Sequence, residues 1–525
     1  MKPIPSRSTG STLLVTLIIL ATLSVMAAAT MRRVTPKVGQ AYQIAAWQES
    51  RLAAEAGVDA AMGDLVRNAS GFSAGSWQGW KDGTGRSGSA LNSTLGLING
   101  VLSLLLGPSV TPQSMSPPIL LDNLKVSTPG GFPTETDVRL WAIRPADQPH
   151  TRWFRIRSMA TCGLPATARQ PPTMIDTALR RLSLREVRPQ LRADDAGSPS
   201  TIPTPNVSRV VEVLVEPILP FELALWTANS TTLASTGTWC VDSYDSRDPA
   251  KSNPDGTYPG RTSSKVQEHG HVASNLGRPA DSIYGPLIAA NGTRVRGFVA
   301  TNGGDDPATP AHENVSGSGA IDPARIRDDF CREMNPLTRP TSGLFLPPPL
   351  LGLLPFFAGT EASPTQYLVP GNLGAFTVAA PAVGRGAIVI VVNGDLAVSS
   401  GSIVIPPQVT ALIFVRGNID LHNATINSGP GSSKRAGQLQ IYGEGAPPAP
   451  RTLRADGDSS ICAAFYGPRY DVRIVDAVEW YGSIAARSFE MFGGGTGGLH
   501  YDEALAMVGP PISFRIARYI EDVRE

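Results

Sequence analysis

Residues 11–31 read STLLVTLIILATLSVMAAATM and carry no charged side chain. At about 1.5 Å rise per residue, a helix of this length is about 30 Å long, the thickness of a bilayer's hydrocarbon core. Alanine-rich sequence follows from Lys37 to Asn68 and also reads as helix. An apolar helix that continues into a water-soluble one joins a membrane to a folded domain. A discarded export signal is more often followed by a loop or strand. Pro36 is expected to bend the helix or break it locally. Lys2 and Arg7 precede the run, and Arg32, Arg33 and Lys37 follow it, so charge bias leaves orientation nearly tied.

Three readings of the run stand side by side. As a secretory signal, Lys2 and Arg7 form the basic region, Leu13 to Val25 the apolar region, and Ala27, Ala28 and Ala29 the small-residue cleavage site. As a plain anchor, the run stays in the bilayer. As a processed leader, the chain is cut between Gly10 and Ser11 and the helix is kept as an assembly handle. Ala21, Ala27, Ala28 and Ala29 would then let such helices approach closely.

The 525 residues exceed one ordinary domain. With 45 basic and 44 acidic residues the net charge is +1, which argues against a nucleic-acid binder. Low charge (17%) with 53 glycines and 46 prolines points to an exported, β-rich protein. Cys162, Cys240, Cys331 and Cys462 are far apart, so no CxxC motif exists. An oxidising compartment permits disulfides in any of three pairings, and four buried thiols are an equal reading.

The stretch Trp47-Gln48-Glu49-Ser50-Arg51-Leu52-Ala53-Ala54-Glu55-Ala56-Gly57-Val58-Asp59-Ala60-Ala61 resembles the N-terminal region of PilX-type, type IV pilin-like pilus assembly proteins. The resemblance spans about residues 8–68. It implies a prepilin-type leader, a dedicated prepilin peptidase and other pilin-like subunits as partners. Major pilins carry a glutamate at the fifth mature position; counted from Ser11, that position is Val15. The departure implies a minor subunit.

Residues 69–135 are rich in Gly, Ser and Pro, with apolar pieces at Leu95–Ile98 and Val101–Leu106 that are too short to span a bilayer. Runs at Val138–Ile143, Trp153–Met159 and Val210–Val215 read as strands. They predict a small α+β or β unit packed on the upper part of the helix, with 170–205 as a long excursion.

In the second half, Val392-Asn393-Gly394-Asp395-Leu396-Ala397-Val398 recurs 23 residues later as Val415-Arg416-Gly417-Asn418-Ile419-Asp420-Leu421. A second echo sets Phe465-Tyr466-Gly467 against Trp480-Tyr481-Gly482, offset 15. Repeats of this size predict stacked coils, with Gly and Asn at the corners. A parallel β-helix is the favoured architecture and a β-sandwich its rival. The proline-broken apolar piece 344–357 reads as a linker packed along the coils. Ile512, Ile516 and Ile520 have helical spacing and predict a terminal cap.

The segments Phe221–Trp226, Val241-Asp242-Ser243-Tyr244-Asp245-Ser246, Phe465–Gly467 and His500-Tyr501-Asp502-Glu503-Ala504-Leu505 resemble, in order, the C-terminal β-helical domain of many PilX-like proteins. That resemblance covers about residues 220–506 and implies surface presentation on a pilus-like assembly.

Signs of chemistry are sparse. His269-Gly270-His271 lacks a clear third ligand beyond the adjacent Glu268. Asp305-Asp306 and Asp456-Gly457-Asp458 lack an EF-hand pattern and read as solvated turns. Asp471, Asp476 and Glu479 show no pairing of the kind a glycosidase needs. No P-loop, nucleophile elbow or zincin motif is present, and Gly493–Gly498 reads as a turn.

The expectation is an α+β chain: leader 1–10, transmembrane and amphipathic helix 11–68, β-rich middle unit 69–220, right-handed parallel β-helix-like unit 221–509, helical cap 510–525. Its expected role is that of a non-enzymatic minor subunit of a type IV pilus or pseudopilus, without cofactor or metal. It would sit in the bacterial inner membrane before assembly and then face the periplasm or cell surface for adhesion or assembly. The alternative is a secreted β-helix protein that binds or cleaves a polysaccharide.

Overall fold

The computed structural model describes residues 9–69, 81–82, 119–126, 134–143, 153–163, 206–277, 288–303, 315–316, 321–341, 343–346, 355–361, 363–444 and 449–521. Residues 1–8 of the expected leader 1–10, the apolar pieces within 83–118, the excursion 170–205, Asp305-Asp306 and most of the apolar linker (347–354) lie outside them.

One helix runs from Thr9 to Ala69 without interruption at Pro36. The expected local break is absent, because a proline withdraws only one backbone hydrogen bond from a ladder of 61 residues. The first half is exposed on all sides: Leu13, Leu17, Ile18, Leu20, Leu23 and Met26 are each more than half exposed. The second half buries a stripe of Ala46, Ser50, Ala53, Ala54, Val58, Ala61 and Leu65. Their spacing of three and four residues is the period of one helix face.

That stripe lies on an antiparallel sheet ordered Lys81–Asp82, Ile119–Lys125, Thr134–Ile143, Trp153–Gly163, Asn206–Ile218, Ser513–Glu521. Val138, Leu140, Ile156, Ala160, Val211, Val213 and Val215 complete its core. Gly57 permits the close approach: a Cβ there would stand 2.3 Å from Ser158 Oγ and 2.8 Å from Thr136 Cγ2.

The outer strand, Ser513–Glu521, corrects the expected C-terminal helix. It pairs antiparallel with Asn206–Ile218, and Arg51 and Tyr519 tie it to the helix through Glu521 and Glu55. A spacing of four is also two periods of a strand, so the isoleucines at 512, 516 and 520 cannot distinguish the two. The free sheet edge selects the strand.

The described strands between Leu225 and Asp502 form a second, almost wholly parallel array. In one ladder, Leu344–Phe345, Thr365–Val369, Gly386–Val392, Val409–Val415, Leu439–Gly443 and the first parts of Ser460–Val475 and Glu479–Gly493 stack in chain order. The next strand in that ladder is Leu225–Thr227, followed by Val272–Ser274, Val299–Ala300 and Ile326–Arg327. A second ladder runs through Leu396–Ser399, Ile419–His422 and Arg451–Asp456 to Thr231–Tyr244 and Ile288–Val295. A third runs through Phe356–Phe357, Phe376–Ala379, Ser402–Val404 and Thr425–Ile426 to Gly498–Asp502.

The chain therefore enters the array in the middle. It builds outward to residue 327, crosses to the opposite end, and returns to close against its own first strands. The crossing segment is held along the way: Arg332 pairs with Glu222, Tyr466 donates to the carbonyl of Asn335 at 2.7 Å, and Arg339 reaches Glu444 at 3.2 Å.

The 23-residue repeat is literal register: Leu396 faces Ile419 and Val398 faces Leu421. Gly394 N–H donates to Gly371 O, and Gly417 N–H to Gly394 O. A Cβ at Gly417 would stand 2.5 Å from Gly394 O, so this corner excludes a side chain. The following residue caps the next coil: Asn372 Oδ1 accepts from Asp395 N–H at 2.9 Å, and Asp395 Oδ1 from Asn418 N–H at 2.7 Å. The offset-15 echo is not register; Phe465 faces Ile484, and Trp480 faces Ile461.

Candidate functional site

Where the returning chain meets its first strands, Leu499, His500, Tyr501 and Asp502 lie beside Val241, Asp242, Ser243 and Tyr244 in parallel register. The two quoted segments, some 260 residues apart in sequence, are thus neighbours and form one polar seam.

His500 is fully buried. Its Nδ1 lies 2.6 Å from Asp242 Oδ1 and its Nε2 2.7 Å from Glu479 Oε2. Glu479 is held in turn by Arg261 at 2.6 Å. Burial pulls the His500 pKa down, but the hydrogen bonds to Asp242 and Glu479 outweigh it and leave it above the ordinary value. Tyr258 donates to Asp242 Oδ2 at 2.7 Å and stacks on the His500 ring at 3.9 Å. Cys240 Sγ lies 3.6 Å from the same Asp242 oxygen. Burial first, then the Asp242 charge, push its thiol up to about 12.

The rest of the seam is equally interlocked. Ser243 Oγ donates to Glu503 at 2.9 Å and accepts from His269 N–H at 2.9 Å. Asp502 caps the short 3-10 turn Glu503–Met507 and accepts from Ser246 N–H at 3.0 Å. Burial raises the Asp502 carboxyl to about 6 against those hydrogen bonds. Tyr501 donates to the carbonyl of Phe221 at 2.9 Å. Beside the seam lies a cleft of about 190 Å³, lined by Tyr244, Tyr258, Tyr481, Ser460 and Lys434 among others.

The other sequence candidates separate. His269 Nδ1 lies 2.8 Å from Glu503, whereas His271 Nδ1 accepts from Phe298 N–H at 3.1 Å; the two rings do not converge on a common point. Glu268 pairs with Arg325. Asp456 is occupied by His422 at 2.6 Å and Arg454 at 2.7 Å, and Asp471 by Arg487 and Ser488. Gly10 and Ser11 fall in the first turn of the helix. All four cysteines are free thiols, with Cys162, Cys240 and Cys462 buried. Sequence reading did not group Cys240, Asp242, Glu479 and His500, since no local spacing links them; only the repeat's register brings them together.

A family described as a domain of unknown function, DUF7305, matches residues 382–508. No curated protein matches. Among solved structures, the competence-associated pilin ComZ from Thermus thermophilus is similar at 11% identity, covering 83% of this chain and 96% of that chain, with a TM-score of 0.19. A score of that size does not establish a shared fold.

Among the described residues, one helix is long and apolar enough to cross a membrane, as an anchor or as a signal.

Proposed function

We propose that this chain is a membrane-anchored, pilin-like subunit without enzymatic activity, a minor component of a type IV pilus or pseudopilus. The observation that carries the reading is the continuity of the helix Thr9–Ala69. Its apolar first half is exposed on every side, and its second half is built into the core of a folded sheet. At roughly 1.5–3 kcal/mol per large apolar side chain, leaving the first half in water costs tens of kcal/mol. Exposure on all sides suits lipid first and the matching helices of sister subunits later. A segment destined for removal needs no rigid coupling to the domain it exports.

On this reading a prepilin peptidase cuts between Gly10 and Ser11, and the helix passes from the inner membrane into a filament core. Val15 then stands where a major pilin carries its glutamate, which suits a subunit that does not stack on copies of itself. The strands described within 69–220, joined by Ser513–Glu521, make the sheet that grips the helix. Residues 221–509 form a right-handed parallel β-helix displayed outward for adhesion or assembly. Three in-register ladders and the 23-residue offset support the coil. Saturation of both His500 nitrogens supports a structural seam over a catalytic base.

N-terminal sequencing of the protein from envelope fractions tests the proposal. A start at Ser11 in a membrane or sheared-filament fraction is expected. A freely soluble protein starting near Thr30 overturns it.

A further inference from the structure

The two strand blocks of the parallel array are sequential within themselves and meet at one place. Cys240 and Asp242 stand on the first block, His500 and Glu479 on the last. Cys240, Asp242 and His500 are each at most 9% exposed, and one donor atom from each lies within 4.8 Å of the other two.

We propose that Cys240, Asp242 and His500 bind one divalent transition-metal ion of zinc's character, which staples the last strand of the array to the first. The donors are a thiolate sulfur, a carboxylate oxygen and an imidazole nitrogen, a set that suits zinc and its cobalt surrogate. The support around them is that of a metal histidine. Nδ1 of His500 faces the site while Nε2 faces Glu479, and Arg261 fixes that carboxylate. A histidine ligand is commonly oriented through its other ring nitrogen by such a carboxylate. Tyr258 and Cys240 share Oδ2 of Asp242 while His500 meets Oδ1, so the carboxylate stands between the other two donors. The fourth position falls to the Tyr258 hydroxyl or to solvent from the adjoining cleft.

Charge balance allows the exchange. Without metal, hydrogen bonds join Nδ1 of His500 to Asp242 and the Cys240 thiol to Asp242, and each holds a proton. On binding, the dication displaces these two protons. Two protons leave, two metal–ligand bonds replace them, Asp242 supplies a third, and the net charge of the buried cluster is unchanged. No oxidation or reduction occurs. The hydrogen bond at 2.6 Å between His500 and Asp242 must open. Two donors about 2 Å from a tetrahedral ion sit about 3.3 Å apart, a shift of well under 1 Å.

The test uses the full chain in mild detergent, freed of metal by a chelator and titrated with Co²⁺. One equivalent is expected to bind, with a thiolate-to-cobalt charge-transfer absorption that one equivalent of Zn²⁺ abolishes. Cys240→Ser should lose that absorption and bind at least 100-fold more weakly, while Cys331→Ser, at an exposed thiol, should keep both. Proton release counted on the unmodified protein at neutral pH should approach two per ion, a readout that survives if Cys240→Ser fails to fold. Binding well below one equivalent, absorption that follows Cys331, or release of fewer than one proton per ion marks an adventitious ion only and overturns the site. None of these outcomes depends on where the N-terminus is processed.

Discussion

Replacing Gly57 by alanine should loosen the helix from its sheet, although the same change elsewhere on the helix should strengthen it. A Cβ at position 57 would stand 2.3 Å from Ser158 Oγ, 2.8 Å from Thr136 Cγ2 and 3.0 Å from Val138 Cγ2. Rotating Ser158 relieves the first contact and leaves the other two, so the helix must lift off the sheet. Overpacking of this kind costs about 1–3 kcal/mol, against a gain of about 1 kcal/mol from alanine's helix propensity. The net loss should be about 0–2 kcal/mol. At Gly63 a Cβ meets nothing within 4 Å, so Gly63→Ala keeps only the gain. Hydrogen–deuterium exchange on the detergent-solubilised chain reads both changes locally, in peptides from residues 46–66 and from Trp153–Gly163. Gly57→Ala should speed exchange by up to about 30-fold, while Gly63→Ala should slow it. If both variants slow exchange alike, the close approach at Gly57 does not hold the helix, and the packing argument fails.

Three further outcomes follow from the geometry. Asp395→Ala removes the acceptor for Asn418 N–H and should lower stability by about 0.5–1.5 kcal/mol; Asp395→Asn should be nearly silent, because Asn372 does the same work one coil away, and equal urea midpoints for the two variants would refute the ladder. Burial, with help from the nearby His269, Arg327 and Arg325 charges, pulls His271 down to about 4. The unfolded ring titrates near ~6.5, so the stability from the neutral ring is full above that pH and is lost as pH falls toward 4; thermal scans between pH 7 and 4.5 should fall more steeply for the native chain than for His271→Gln, and parallel slopes would count against it. Tyr501→Phe orphans the buried carbonyl of Phe221 and should cost about 1–2 kcal/mol, read as a lowered melting temperature.

Much of this arrangement is legible in the chain. The helix shows in the charge-free run and the alanine spacing after it, and the coil repeat in two seven-residue stretches 23 residues apart. Those features are local, so periodicity carries them. The C-terminal strand is not legible, because isoleucines four apart satisfy both a helix and a strand, and only the free edge of Asn206–Ile218 decides. The offset-15 echo misleads because similar residues occur in two different ladders: Phe465 pairs with Ile441 and Ile484, Trp480 with Ile461 and Leu499. The seam is legible only as two quoted segments without a stated relation. His500 reads as isolated and Glu479 as unpaired, since the register joining them to Asp242 comes from a strand order that departs from chain order.

That departure has a bearing on how the protein is made. The strand carrying Trp226 is among the first of its array to be synthesised, yet its neighbour, Glu479–Gly493, is among the last. Until that late strand is made, the early block waits with one row of backbone amides and carbonyls unmet. A polypeptide ended prematurely before residue 479 keeps that row bare, open to pairing with other strands. Only a chain that extends through Asp502 can shut the whole seam, so the topology doubles as a check on completion of the array.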